Sequence, residues 1–480
     1  MDLPLQTRRR FLQQSLALSA ACATPAYLTP IAARADESPI QLGGRRELLV
    51  DDFLIERLDG VALTPHQPEA REVVLTCDAP WEGNTSGYFT VFADEGRFRM
   101  YYRGWHFDPA TKKETHAATT CLAESRDGLV FTKPKLGRFE YEGSKENNIV
   151  HMGDAATHNF TPFKDQNPAA NPNARYKALG GVGQIVDGKS KMALRAYGSP
   201  DGIHWSPLAE EGVITAGAFD SQNLAFWDAE RGEYRAYWRI FANKVRAIRT
   251  ATSKDFLHWE NQADLTYGDA PAEHLYTNAV RPYFRAPHLF LGFPTRYQPK
   301  NSQVEPVFMT SRDGVRFRRW SDALIPITAP QDRDGNRSNY MTNGLLPLPG
   351  QDRELSVYAT EAYYAGPGGR VRRFVYRMDG FVSARAEAHG TLLTKPLTFA
   401  GAELRLNVAS RGVTRAELQD AAGRPIAGFA LADCAPIQGD FVDQVVAWKG
   451  GTLAPLSGQA VRLRVELQDA DLYAFQFRNR

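Results

Sequence analysis

The sequence predicts an all-β chain, a five-bladed β-propeller followed by a β-sandwich, and three observations predict it. A short turn is written four times: Ser125-Arg126-Asp127-Gly128-Leu129-Val130-Phe131, Ser199-Pro200-Asp201-Gly202-Ile203-His204-Trp205, Ser253-Lys254-Asp255-Phe256-Leu257-His258-Trp259 and Ser311-Arg312-Asp313-Gly314-Val315-Arg316-Phe317. The copies begin 74, 54 and 58 positions apart, about the length of one four-stranded blade with its loops. Asp-Gly between extended runs favours a hairpin, because glycine takes φ > 0 cheaply and aspartate bonds the nearby backbone. Second, the runs between turns are β-rich, as in Tyr88–Phe92, Arg97–Tyr102, Tyr234–Ile240 and Glu354–Thr360, with no long helical periodicity. Third, after Asp379-Gly380 the runs become shorter, aliphatic and alternating, which suits a separate antiparallel sandwich over 381–480.

Taken in order, residues 1–35 read as a twin-arginine export signal. Thr7-Arg8-Arg9-Arg10-Phe11-Leu12 is followed by a modest apolar stretch, and Ala33-Arg34-Ala35 fits a cleavage site. Ser19, three places before Cys22, departs from a lipoprotein box, so lipid anchoring at Cys22 is not expected. The expected destination is the periplasm or beyond. Without this segment the chain carries 53 Lys and Arg against 54 Asp and Glu. That balance gives no basic stripe for nucleic acid and no amphipathic basic helix for a membrane surface, and it suits an uncharged partner such as a sugar. Cys77, Cys121 and Cys434 remain; Cys77 and Cys121 could meet within the first blade, and the spacing matches no zinc motif.

The propeller is expected over 36–380. Its blades run about Trp81–Thr132, Asn148–Leu208, Phe219–Glu260, Leu275–Ile325 and Asn339–Arg377, and Glu47–Glu56 is placed to close the ring. Inner strands line a propeller's channel, so functional groups should lie at blade starts and not in the repeated turns. Those starts are polar: Trp81-Glu82-Gly83-Asn84, His158-Asn159, Asp220-Ser221-Gln222-Asn223, Glu273-His274-Leu275-Tyr276-Thr277-Asn278 and Asn339-Tyr340-Met341-Thr342-Asn343. Amides bond hydroxyls well, which makes Asn84, Asn159, Asn223, Asn278, Asn339 and Asn343 candidate sugar contacts beside His158 and His274. Trp81, Trp105 and Tyr276 are candidates to stack on sugar faces.

Five blades with Ser-x-Asp-Gly-x-x-Trp turns and a β-sandwich tail resemble the five-bladed glycoside hydrolases, the superfamily that includes families 32, 43, 62, 68, 117 and 130. The tail looks most like family 32, and Pro80-Trp81-Glu82 with the Arg97–Arg103 strand is similar to the start of family 130. The family 32 motifs Trp-Met-Asn-Asp-Pro-Asn-Gly, Arg-Asp-Pro and Glu-Cys do not occur, so the resemblance is to a divergent member. It implies glycosidic-bond cleavage by paired carboxylates from different blades, one protonated and one ionised. On that basis Glu273, beside His274, is the candidate acid. Asp220 is the candidate transition-state stabiliser or pKa modulator, and Glu82 the candidate nucleophile or base. Each also has a structural reading: Glu82 as a turn cap, Asp220 as an Asx-turn former and Glu273 as a solvated loop acid. The competing functions are a phosphorylase, with Arg281, Arg285 or Arg337 holding phosphate, and a sugar-binding propeller without catalysis. No organic cofactor motif occurs, and no motif encodes a metal; a structural Ca²⁺ in the channel is compatible with the fold but is not read from the sequence.

Overall fold

A computed structural model describes residues 38–186, 189–326 and 339–479. The export signal, with Cys22, and Arg337 lie outside the described residues. Four sheets of the propeller are blades of the expected kind, and each is an antiparallel meander. Blade 1 is Gly87–Asp94, Arg97–Gly104, Thr119–Ser125 and Ile149–His151. Blade 2 is Thr161–Lys164, Tyr176–Val186, Lys189–Ser199 and Ser206–Pro207, and blade 3 is Leu224–Asp228, Glu233–Ala242, Val245–Ser253 and Glu260–Asp264. Blade 4 is Arg281–Tyr283, Ala286–Gly292 with Thr295–Gln298, Gln303–Ser311 and Phe317–Ala323. In blade 5 an irregular inner segment, bridged at Met341 and Leu346, precedes Glu354–Glu361 and Arg370–Arg377. Ile149–His151, expected to open blade 2, is instead the outer strand of blade 1.

The ring closes differently from the sequence expectation. Glu69–Thr76, not Glu47–Glu56, pairs with Arg370–Arg377 as the outer strand of blade 5. Arg46–Leu48 instead pairs with Val461–Arg478 in the second layer, where Ile40–Gly43, Ile55–Asp59 and Ala62–Pro65 also lie. Both candidate segments are β-rich, and only the register with blade 5 chooses between them. The second layer is built on Val382–Thr394, Glu403–Asp420 and Val461–Arg478. These long strands change register near Ser410–Thr414 and Ala386–His389, and such irregularities let one strand bend round a shared core. The layer is not wholly antiparallel, since Ile40–Gly43 runs parallel to Leu397–Phe399. Cys77 and Cys121 share the blade 1 core as free thiols, and Cys434 is free in the second core.

The repeated turn joins one blade to the next. In each copy the serine hydroxyl accepts from the backbone N–H three residues on, and the aspartate accepts from the next two N–H groups, as in Asp201 with Ile203 and His204 at 2.8 Å. The glycine carbonyl then accepts from a tyrosine on the second strand of the preceding blade. Tyr101 bonds Gly202 at 3.0 Å, Tyr237 bonds Gly314 at 2.9 Å, and Tyr358 bonds Gly128 at 2.8 Å. A Cβ on Gly202 would sit 2.4 Å from the Tyr101 hydroxyl, so close approach and φ of +78° both require glycine there. The copy without glycine uses Phe256, whose ring packs against Phe163 of blade 2 at 5.6 Å.

A polar cluster fastens the propeller to the second layer. Asp379 is fully buried and meets Tyr283 at 2.6 Å, Arg285 at 2.9 Å and Arg46 at 3.4 Å. Glu47 is equally buried and meets Arg45 at 2.6 Å, Arg312 at 3.0 Å and His288 at 3.2 Å. Burial alone would push the Glu47 carboxyl up, but the contact with His288 and the charges of Arg312, His288 and Arg45 outweigh it and hold the pKa at about 2.

Two outcomes follow from these contacts. Gly202→Ala should be less stable than Gly96→Ala by about 1–3 kcal/mol, because both take a positive φ but only Gly202 lacks room for a Cβ. Equal losses would show that the turn does not dock as described. Because the Glu47 pKa is depressed on folding, its contribution is present above the unfolded value near pH 4.5 and is lost as the pH falls toward 2. The melting temperature of Glu47→Gln should therefore fall less steeply than that of the native chain between pH 5 and pH 3.

Candidate active site

The inner strands open at their N-terminal ends onto one mouth of the channel, and side chains from all five blades meet there. Asp220 stands in the middle. Its carboxylate accepts from Tyr88 Oη of blade 1 at 3.3 Å and Tyr276 Oη before blade 4 at 3.5 Å, and lies 3.1 Å from His158 Nε2 before blade 2. Arg239 of blade 3 lies 3.6 Å away. Tyr340 and Tyr363 of blade 5 complete the ring, with centroids 5.9 Å from Tyr276 to Tyr340 and 5.2 Å from Tyr340 to Tyr363. The Asp220 side chain is 63% exposed, so a ligand can reach it. The bond to His158 and the charges of Arg239, His158 and Arg103 hold its carboxyl well below the usual carboxylate range, against the opposing effect of burial.

Arg103 is the second centre. It is 3% exposed, and its guanidinium lies over the rings of Tyr88 and Trp105 at 4.6 and 4.7 Å. It donates to Thr85 O at 2.8 Å, Tyr363 Oη at 3.2 Å and His158 Nε2 at 2.9 Å. His158 Nε2 therefore faces a cation that can only donate and a carboxylate that accepts. Unprotonated, the nitrogen accepts from Arg103; protonated, it donates to Asp220; it cannot do both. Across the mouth, Arg239 and Arg246 lie over Tyr276 at 4.8 and 5.2 Å. The backbone is left-handed at Tyr88 (φ 56°), Ala362 (φ 57°) and Tyr364 (φ 60°), a costly conformation for residues other than glycine.

Of the three sequence-selected acids, only Asp220 is at this mouth with a free face. Glu82 is wholly enclosed: its carboxylate takes Lys133 Nζ at 2.6 Å, Tyr102 Oη at 2.5 Å and Ala79 N at 3.0 Å, tying down the loop before blade 1. Trp81 beside it donates to Asn148 and packs on Tyr141. Glu273 is ion-paired to Arg296 and Arg319 and lies away from Asp220, with its carboxylate engaged by two guanidinium groups. His274 accepts from the backbone of Arg246 at 3.1 Å, and burial with the Arg246 charge lowers its pKa.

The asparagines bind the chain's own backbone. Asn84 bonds Phe107 and Gly366, Asn159 bonds Phe219 and Gly181, Asn223 bonds Phe219 and Ser221, and Asn278 bonds Gln222 and Tyr237. Inner strands that lack a ladder partner toward the channel need donors and acceptors for their loops, and an amide supplies both. Asn339 is fully buried, and Asn343 lies at the opposite mouth. The arginines selected for phosphate are elsewhere too: Arg285 pairs with Asp379, and Arg281 also faces the opposite mouth.

Arg103, Arg239 and Tyr88 were missed among the site residues, although a signal existed. Tyr101-Tyr102-Arg103 and Tyr237-Trp238-Arg239 are the same strand in two blades, each ending in an arginine at the mouth. Among the described residues no group of three or more His, Cys, Asp or Glu is placed to hold a metal ion.

No protein-family model and no curated protein sequence matches this chain. Among solved structures, a family 32 β-fructofuranosidase of Bombyx mori is similar at 10% identity and TM-score 0.42, over 86% of this chain and 94% of its own. An N-acetylgalactosamine deacetylase from F. plautii, in complex with blood group B trisaccharide, is similar at 12% identity and TM-score 0.41, over 87% and 95%. An endo-arabinase from Bacteroides thetaiotaomicron is similar at 9% identity and TM-score 0.40, over 65% and 99%. At such identities and scores the likeness assigns no residue and no activity to this chain.

The enclosure of Glu82 has a measurable consequence. Glu82→Gln leaves Lys133 with only the exposed Asp78 as partner and should lower stability, and adding Lys133→Met should recover much of the loss. A Glu82→Gln chain as stable as the native one would show the pair to be inessential.

Proposed function

We propose that the chain is a glycosidase acting at the mouth around Asp220. One observation carries the reading: a single carboxylate, held ionised and open to solvent, stands in a ring of aromatic and cationic side chains from five blades. Sugars present C–H faces to aromatic rings and hydroxyls to charged and polar groups, and Trp105, Tyr276 and Tyr364 offer such rings here. The paired-carboxylate form expected from the sequence is replaced by Asp220 with His158. Asp220 either attacks the anomeric carbon, giving a glycosyl ester that water then hydrolyses, or takes a proton from a water that attacks that carbon; in both the bond to the leaving oxygen breaks. His158, when its Nε2 carries a proton, gives it to the leaving oxygen, and the nitrogen so freed accepts from Arg103. Tyr88 and Tyr276, which donate to Asp220, orient the carboxylate. Export through the twin-arginine route places this activity outside the cytoplasm.

A second reading, a sugar-binding propeller without catalysis, is favoured by the lack of a second carboxylate at the mouth among the described residues. Turnover decides between the two. The purified chain incubated with a panel of oligo- and polysaccharides, with and without phosphate, should release shorter sugars. Asp220→Asn and His158→Ala should each lower the rate by about a hundredfold to ten-thousandfold. Glu273→Gln should keep the rate per folded molecule. Saturable binding with no product from any substrate would support the binding reading, and dependence on phosphate would make the enzyme a phosphorylase.

A further inference from the structure

The channel has a second mouth, at the far ends of the inner strands, and it is closed off from the first. Gln222 Nε2 donates to Phe89 O at 2.8 Å and Thr90 Oγ1 at 3.0 Å, and Asn278 donates to Gln222 O at 3.3 Å, so side chains bridge the channel at mid-height. Below this plug lies a cavity of about 450 Å³, in the range of small-molecule sites. Its walls include Phe92, Phe163, Phe226, Trp227 and Phe284, the last 49% exposed at the rim.

Arg281 lines this cavity, and its side chain makes no hydrogen bond, ion pair or ring contact with any described residue. Arg281 is half-buried, whereas the deeply buried arginines are satisfied: Arg46, Arg319 and Arg373 each meet a carboxylate, and Arg103 is bonded and stacked. Burial pulls the Arg281 pKa down to about 10, with no neighbour restoring it, so it remains a cation at neutral pH. A half-buried cation with no counter-charge, set in the wall of a cavity, is open to an anion that enters it. A second group in the wall is also unsatisfied. Asn343 is 8% exposed; its backbone is paired to Phe89 and Val91, and its Oδ1 has no partner.

We propose that this second mouth binds a small aromatic carboxylate carrying a hydroxyl, with the carboxylate on Arg281 and the ring against the aromatic wall. Guanidinium and carboxylate match in a two-bond fork. The Phe and Trp side chains suit a flat apolar body better than a bare ion. The ligand hydroxyl supplies the donor that Asn343 lacks. The site is independent of Asp220, because the plug separates the two mouths.

The test titrates the purified full chain with 4-hydroxycinnamate, followed by calorimetry. Saturable binding is expected, unchanged in Asp220→Asn and weakened by about tenfold or more in Arg281→Gln. Phenol, which lacks the anion, and inorganic phosphate, which lacks the ring, should bind more weakly by a similar factor. Without ligand, Arg281→Gln should melt no lower than the native chain, since it removes an unpaired charge. Absent binding, binding indifferent to Arg281, phosphate as tight as the aromatic acid, or a lower melting point for Arg281→Gln would each overturn the proposal.

Discussion

A tyrosine hydroxyl crossing from one blade into the next blade's glycine turn is the contact on which the propeller and its mouth both depend. It sets the spacing between blades, and through strand geometry it also sets the site. Side chains two residues apart on a strand share a face. Tyr101, bonded to Gly202 of blade 2, therefore carries Arg103 toward the same blade, where it meets His158. Tyr237, bonded to Gly314 of blade 4, carries Arg239 toward Tyr276. In these two gaps the turn at the foot and the arginine at the head are two ends of one strand face. A residue with no part in chemistry thus positions one that faces the ligand.

Charge decides what the mouth can do. Arg103 is kept as a buried cation by backbone, hydroxyl and ring contacts in place of a carboxylate, so its charge is felt at His158 and Asp220. Glu82 and Glu273 each hold an intimate cationic partner and spend their charge on loops. Asp220 has looser partners and an open face. A carboxylate is tied into the fold or left open to solvent according to whether its counter-charge is exclusive or shared.

The architecture was legible because it is repetitive. Four copies of one turn, each with an aromatic six places after its serine, announce blades whatever the local sequence. Ring closure was not legible, because Glu47–Glu56 and Glu69–Thr76 have similar strand character and differ only in a partner three hundred residues away. The site was half legible. Asp220, His158 and Tyr276 lie at blade starts, where a channel must gather side chains. The fate of Glu82 hung on Lys133 and that of Glu273 on Arg319, pairings set by folding across a blade. The asparagines misled for a physical reason: the amide that suits a sugar hydroxyl suits an unpaired backbone group equally well.

The central claim is that a ligand's reacting bond lies against Asp220 and His158. A crystal structure of the Asp220→Asn chain soaked with an oligosaccharide that the native chain cleaves tests it directly. The account predicts a glycosidic oxygen within hydrogen-bond distance of His158 Nε2, with a sugar ring packed on Trp105 or Tyr276. A sugar bound with its glycosidic bond away from both residues, against Glu273 or outside the channel mouth, would contradict it.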